Sequence, residues 1–232
     1  MMNGLRTSRR DRLRETIVER ILVGTYPAGM RLKELALAAE FRVSQAPVRE
    51  ALRELEAFGL VQSERYRGTR VRAADMQELR EAYELRALIE ERAAQLATPC
   101  ATDVLESLER AFERMTRTLG ADQQREHAAA ATAFHRIIVA ASGNATFLRT
   151  WDALHWEVRT RVALRQLRDR KVKVKPLIDM HACALRHLKA GEGVEAGRLL
   201  RQMMEQVLAA IEQPCGHRQS RRGVSANKAH AD

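Results

Sequence analysis

The sequence predicts a mainly α-helical protein in two blocks: three short helices with a β-hairpin, then a longer block that is helical throughout. Three observations carry this. Apolar residues recur at helical spacing along most of the chain, beginning with Leu13, Ile17, Ile21 and Leu22. In the first block that period gives way to strand-like alternation on either side of one tight turn. After Asp75 the stop signals are spaced for long helices, not strands.

The elements follow in order. Residues 1–9 are expected to be disordered. The first helix is stopped by Gly24 and Pro27-Ala28-Gly29. A short helix is expected over about Lys33–Glu40, with Leu35, Ala38 and Ala39 near the core. A turn at Phe41-Arg42-Val43 leads to Ser44, a good N-cap, with Pro47 in the first turn of the third helix. That helix carries Val48, Ala51, Leu52 and Leu55 on one face and ends at Gly59. Leu60-Val61-Gln62-Ser63 and Thr69-Arg70-Val71-Arg72 are the strands, joined by Arg65-Tyr66-Arg67-Gly68.

In the second block Asp75 caps a helix that Thr98-Pro99 ends. Helices are expected over Asp103–Leu119 and Asp122–Ala141. One continuous helix is expected from Asn144 through Trp151, Leu154, Val158 and Val162. Lys171-Val172-Lys173-Val174-Lys175 is a basic connection with strand-like alternation. Pro176 opens a helix closed by Gly191-Glu192-Gly193, and the last helix carries Leu199, Leu200, Met203, Met204, Val207, Leu208 and Ile211. The tail 213–232 reads as basic and disordered.

Composition narrows the function classes. The 232 residues carry a net charge of +10. Residues 1–74 hold 15 Lys/Arg against 9 Asp/Glu, residues 75–212 hold 21 against 20, and the tail holds 4 against 1. Positive charge concentrated at the ends suggests a polyanionic partner for the first block. No stretch approaches the roughly 18 apolar residues of a membrane span, and the basic N-terminus lacks the apolar core of a secretory signal. Three cysteines, Cys100, Cys183 and Cys215, without a CxxC pair, suit reduced thiols in a cytoplasm. GxSxG, P-loop and HExxH motifs are absent from the sequence, and Cys183 beside His181 and His187 reads as packing, so no enzyme is expected.

Three helices plus a two-stranded ribbon outline a winged helix-turn-helix. With Val48, Ala51, Leu52 and Leu55 inward, Gln45, Ala46, Arg49 and Arg53 face outward, where a helix in the major groove reads base edges. Arg49 can fork onto guanine and Gln45 can pair with adenine. Arg65, Arg67 and Arg70 on the hairpin can reach phosphate or the minor groove.

Four runs make this specific: Pro27-Ala28-Gly29-Met30-Arg31-Leu32, Val43-Ser44-Gln45-Ala46-Pro47-Val48-Arg49-Glu50-Ala51-Leu52, Leu55-Glu56-Ala57-Phe58-Gly59-Leu60-Val61 and Arg67-Gly68-Thr69-Arg70-Val71. In order and at these separations they resemble the GntR family of bacterial regulators. The resemblance places Arg49 and Arg53 on the recognition helix and Gly68 at the wing tip. It implies a repressor whose DNA contacts come from Arg10, Lys33, Ser44, Gln45, Ala46, Arg49, Arg53, Arg67, Gly68 and Arg70. Gln45 and Leu35 stand where the family often has Arg, so an altered base preference is expected opposite Gln45. Arg42 stands where the family usually has Gly, so a positive φ is expected there.

The second block resembles the C-terminal domain of the FadR-like branch, through Glu84-Leu85-Arg86 with Glu90, Phe134-His135, Ala141-Ser142-Gly143-Asn144, His181, Leu188-Lys189-Ala190-Gly191-Glu192 and Ala196. This implies an antiparallel six- to seven-helix bundle over 75–212 behind a DNA-binding domain over 10–74. It also implies a homodimer on a double-stranded operator and a central pocket for a small organic-acid effector. Many members hold a divalent metal there with one Asp and three His. Here His135 and His181 remain, but Ala131 and Met203 stand at the other two positions, and Glu126 and Glu205 are off-register. No cofactor is therefore expected, and a divalent metal at His135 and His181 is disfavoured. Arg86, His135, Trp151, Arg161 and His181 are the candidate effector contacts. The alternative is a ligand-independent DNA-binding dimer with a degenerate pocket.

Overall fold

The computed structural model describes residues 9–64, 67–120 and 123–212. The expectations for residues 1–8, for Arg65 and Tyr66, for Asp122 as a helix start and for the tail 213–232 lie outside these; Arg9, placed with the disordered start, already opens a helix.

The first block holds α1 (Arg9–Leu22), β1 (Arg31–Leu32), α2 (Glu34–Phe41), α3 (Gln45–Ala57), β2 (Val61–Glu64) and β3 (Gly68–Val71). The strands form an antiparallel sheet in the order β1-β3-β2, with Val61 opposite Val71 and Arg31 opposite Arg70. The hairpin was expected and β1 was not, because two residues are too short to show alternation. The core joins Leu13, Ile17 and Val18 of α1 to Val48, Ala51, Leu52 and Leu55 of α3 and to Val61 and Val71 of the sheet. In α2 the apolar face is one register away from the expected one. Leu37 and Ala38 are buried, Ala39 is exposed, and Leu35 is 69% exposed. Arg42 adopts φ 53° and ψ 49°, the left-handed turn residue expected, with its N–H and that of Val43 returning to α2 carbonyls.

Seven helices follow: α4 (Met76–Ala97), α5 (Thr102–Arg117), α6 (Gln124–Ala141), α7 (Ala145–Ala153), α8 (Trp156–Asp169), α9 (Lys175–Lys189) and α10 (Gly193–Glu212). Asp75 and Asn144 cap α4 and α7, each side chain accepting from two backbone N–H groups. The helix expected to run on from Asn144 is broken between α7 and α8, where His155 has φ 51°. The break has a packing reason. Trp151 and Trp156 would point about 140° apart on one continuous helix, and both are buried in one core with ring centroids 6.2 Å apart. The segment after α8 is a turn through Lys171 (φ 57°), not a strand, because no neighbouring edge pairs with it.

α4 lies along α10, α5 against α6, and α9 against α10. The α4–α10 approach is close because Gly197 faces the α4 backbone: a Cβ there would stand 2.6 Å from the Glu91 carbonyl oxygen. The two blocks meet through charge. Glu78 of α4 accepts from Arg72 beyond the wing (3.1 Å) and Arg159 of α8 (2.9 Å). Arg161 of α8 forks onto Glu15 and Glu19 of α1. Among the described residues no helix is long and apolar enough to cross a membrane.

Candidate functional site

The exposed face of α3 carries Gln45, Ala46, Arg49 and Arg53, opposite the buried Val48, Ala51, Leu52 and Leu55. Ser44 takes the N-cap backbone conformation, but its hydroxyl makes no capping bond, which leaves it facing outward. Arg49 is held within the protein: its Nε lies 3.1 Å from both Glu34 carboxylate oxygens and its Nη2 2.8 Å from one. That pairing lowers the Glu34 carboxyl below its ordinary value. To read a base, Arg49 must exchange Glu34 for the nucleic acid.

Between this face and the wing lies an open groove lined by Arg31, Lys33, Glu34, Leu35, Gln45, Gly68 and Thr69. It brings Lys33, Gln45 and Gly68 together and adds Arg31, Leu35 and Thr69. Arg31 was missed because it enters through β1. Leu35, expected near the core by its period and at a usual DNA-contact position by the family resemblance, stands exposed in the groove, where an apolar group can meet a thymine methyl. Arg10 lies at the flank, 3.6 Å from Glu54. Arg67 is exposed near Glu64, and Arg70 donates to the Gly29 carbonyl.

In the helical block a partly open pocket of about 50 Å³ is lined by side chains of α4, α6, α8, α9 and α10. Its lining includes Tyr83, Arg86, Ala131, His135, Thr160, Leu164, His181 and Met203. Sugar- or drug-sized ligands occupy pockets of roughly 300–1,000 Å³, so such a ligand would need the bundle to open. Arg86 lines the cavity and is anchored through one of its donors: its Nε lies 2.6 Å from Glu90 Oε1, with both side chains buried. Trp151 is set behind the cavity, its indole N–H donating to Glu90 Oε1 (3.0 Å). Arg161 is not at the cavity at all. Thr160 faces the interior, and the next residue, about 100° round the helix, faces α1.

His135 and His181 do meet, with their Nε2 atoms 3.0 Å apart. His181 Nδ1 is 2.6 Å from the Leu177 carbonyl oxygen, and His135 Nδ1 is 2.7 Å from Glu90 Oε2. Arg86 beside Glu90 holds that carboxyl down, to about 2, against a burial that would raise it. Burial also pushes His135 below the ordinary imidazole range and His181 down to about 3. A carbonyl oxygen only accepts, so His181 Nδ1 carries the hydrogen and a neutral His181 presents a lone pair at Nε2. Neutral His135 has one hydrogen for two acceptors, Glu90 and His181. The Glu90–His135 approach is also misaligned, and neither Oε2 nor Nδ1 makes a hydrogen bond.

The family's divalent-metal set does not fit this cavity. Ala131 and Met203 line it beside the two imidazoles. Glu126 instead borders the cleft between the blocks, and Glu205 pairs with Arg201. Among the described residues no three His, Cys, Asp or Glu side chains converge on one point.

Comparison with known proteins agrees with this geometry. The model of the bacterial regulatory proteins of the gntR family matches residues 9–71, and the FCD domain model matches residues 81–206. The chain is 38% identical over 178 residues to a probable D-xylose utilization operon transcriptional repressor of Paenarthrobacter nicotinovorans, covering 75% of this chain and 79% of that one. It is 25% identical over 197 residues to a gluconate operon transcriptional repressor of Bacillus licheniformis, covering 83% and 81%. A putative GntR transcriptional regulator from Rhodococcus sp. RHA1 shares its fold, with a TM-score of 0.70 at 24% identity over 88% of this chain and 98% of that one.

Proposed function

The chain belongs to the GntR family of bacterial regulatory proteins, as a DNA-binding transcriptional regulator with an FCD domain, and from that premise we propose that it is a cytoplasmic repressor whose operator affinity is set by a small molecule entering the helical block. The observation that carries this reading is the double use of α8. Thr160, Ala163, Leu164 and Leu167 of α8 line the cavity. Arg159 and Arg161 of the same helix hold Glu78, Glu15 and Glu19. A ligand that opens the cavity displaces α8, and α8 carries α1 with it. The ligand shifts the equilibrium only by its differential affinity for the two positions. The names of the xylose and gluconate relatives make sugars and sugar acids the first compounds to try.

The working unit is a homodimer. α4 exposes Leu85, Leu88 and Leu96 on a face that its own bundle leaves uncovered. Glu84 and Arg92 lie four residues either side of Leu88 on that face. Two copies of α4 packed antiparallel about Leu88 would set each Glu84 against the partner's arginine, a self-complementary patch of the kind a two-fold axis requires. Such a dimer offers two α3 helices to two half-sites.

Operator capture in a gel-shift or anisotropy assay tests the reading. Affinity should fall steeply with salt, and one sugar or organic acid should change it. A flat salt response, or operator binding by the monomer, would overturn it. Operator binding that no compound alters would instead favour the ligand-independent dimer.

A further inference from the structure

The space between the two blocks is far larger than the pocket within the helical block. A partly open cleft of about 750 Å³ lies where α1 meets α6 and α8, and that volume is within the range of small-molecule sites. On α1 it is bordered by Arg12, Glu15, Glu19 and Val23, away from the Leu13, Ile17 and Val18 face that packs on α3. The cleft shares no lining residue with the bundle pocket or with the groove beside α3.

Its walls are charged, and unevenly so. Arg12 comes from α1, Arg125 from α6, and Arg161, Arg165 and Arg168 from α8. These five arginines face three glutamates, Glu15, Glu19 and Glu126, a surplus of two positive charges. Two of the glutamates are already engaged. Glu15 lies 3.2 Å from Arg161 and 3.4 Å from Arg125, and Glu19 accepts from Arg161. Arg165 lies 3.6 Å from Asp169. Among the described residues no carboxylate pairs with Arg12 or Arg168. Arg168 and Gln124 also border an adjoining pocket that adds Lys171. A cleft in which one sign of charge prevails focuses its field and concentrates the opposite ion.

The donors choose the anion. Guanidinium groups enter this volume from three helices, each a rigid fork of N–H donors. A carboxylate is planar and is satisfied by one such fork. A phosphate monoester presents three oxygens and carries about two negative charges at neutral pH, which matches both the several forks and the surplus charge. We propose that the cleft is a binding site for a small phosphorylated metabolite, its phosphate held between Arg12 of α1 and Arg125 and Arg168 of the helical block. Because these groups come from both blocks, the ligand ties α1 to the helical block and biases operator affinity by its preference for that arrangement. Binding itself requires no DNA, so the site and the regulator reading are separately testable.

The test titrates the full-length protein with inorganic phosphate and with glucose 6-phosphate by calorimetry at constant ionic strength, with glucose and citrate as comparisons. Both phosphate compounds should bind, one per chain, and raise the melting temperature. Glucose should do neither, and citrate should bind more weakly. Arg12→Gln and Arg168→Gln should each weaken phosphate binding about ten- to a hundredfold, the loss of one charge-assisted hydrogen bond. Glu126→Gln should tighten it. Arg110→Gln removes the same charge from α5, outside the cleft, and should leave binding unchanged, with circular dichroism confirming the fold of each variant. No binding of either phosphate compound, equal loss in Arg168→Gln and Arg110→Gln, or tighter binding of citrate would each overturn the proposal. Operator affinity is read on the same samples. Phosphate bound with operator affinity unmoved overturns the link to α1, and loss of operator binding in the parent sinks the regulator reading alone.

Discussion

Arg161 of α8 lies 3.2 Å from Glu15 of α1, although 146 residues separate them in the chain. The Arg161 side chain is 4% exposed and Glu15 15%. This contact, with the second arm of the guanidinium on Glu19, joins the DNA-binding block to the helical block. Arg161→Met should cost about 1–2 kcal/mol, discounted from the 3–5 kcal/mol of a fully buried pair because Glu19 is half exposed. It should also reduce any ligand-induced change in operator affinity while leaving ligand affinity near wild type. Calorimetry for the ligand and anisotropy for the operator, on the same variant, check this. An undiminished response would exclude α8 as the connection.

Recognition should depend on Arg49 and Gln45 in different ways. Arg49→Ala should weaken operator binding by about 1–3 kcal/mol and relax the preference at one base pair. Glu34→Gln frees Arg49 from its resting partner and should raise affinity for operator and non-specific DNA alike. Gln45→Arg should change the selected consensus at the position it faces. Site selection from random oligonucleotides reads all three, and an identical consensus for wild type and Gln45→Arg would refute the assignment.

Acid should destabilise the protein in two stages, and the sign follows from the protons bound. His181 is held to about 3 by burial, whereas the unfolded imidazole takes up its proton near 6.5. Between those values the unfolded chain binds more protons, so stability falls as pH drops below about 6.5, by up to about 1.4 kcal/mol per unit for this one group. Glu90, lowered to about 2, adds a second loss only below its unfolded value near 4.5. Urea midpoints from pH 8 to pH 5 should therefore decline, and His181→Leu should flatten the slope.

Gly197 should tolerate no side chain. A Cβ would stand 2.6 Å from the Glu91 carbonyl oxygen, and that oxygen belongs to helix backbone that cannot swing aside. Gly197→Val should cost roughly 1–3 kcal/mol through forced separation of α4 and α10. Gly29, whose missing Cβ meets nothing within 4 Å, is the spatial control. Its φ of +82° makes Gly29→Asn a fairer comparison than a β-branched residue.

Leu88→Glu should separate the dimer. Leu88 is 55% exposed at the centre of the apolar face of α4, so the monomer fold should be kept. Sedimentation should show a single chain, and operator affinity should drop with the loss of the second half-site contact. A dimer that survives both Leu88→Glu and Leu85→Glu would place the interface elsewhere.

The type of protein and the location of its two working parts were legible in the residues. Helical periodicity, the caps Asp75 and Asn144, and the inward set Val48, Ala51, Leu52 and Leu55 are local properties, and local properties survive into the fold. The left-handed turn at Arg42 was also legible, through the glycine it replaces. What pattern could not deliver was the partner of each polar group. Arg86 meets Glu90, Arg49 meets Glu34, and Arg161 turns to α1 away from the cavity because of where other elements lie. Leu35 was misassigned because a two-turn helix gives too few positions to fix a register, and the real inward residue, Leu37, is settled by packing on α3 and the sheet. The break at His155 followed from the need to bury Trp151 and Trp156 together, a demand of the whole core. The sequence by itself determined the helices, the wing and the two surviving histidines. Only the tertiary structure decided that those histidines face each other across 3.0 Å with Met203 beside them, because the approach of α6 to α9 depends on every helix packed around them.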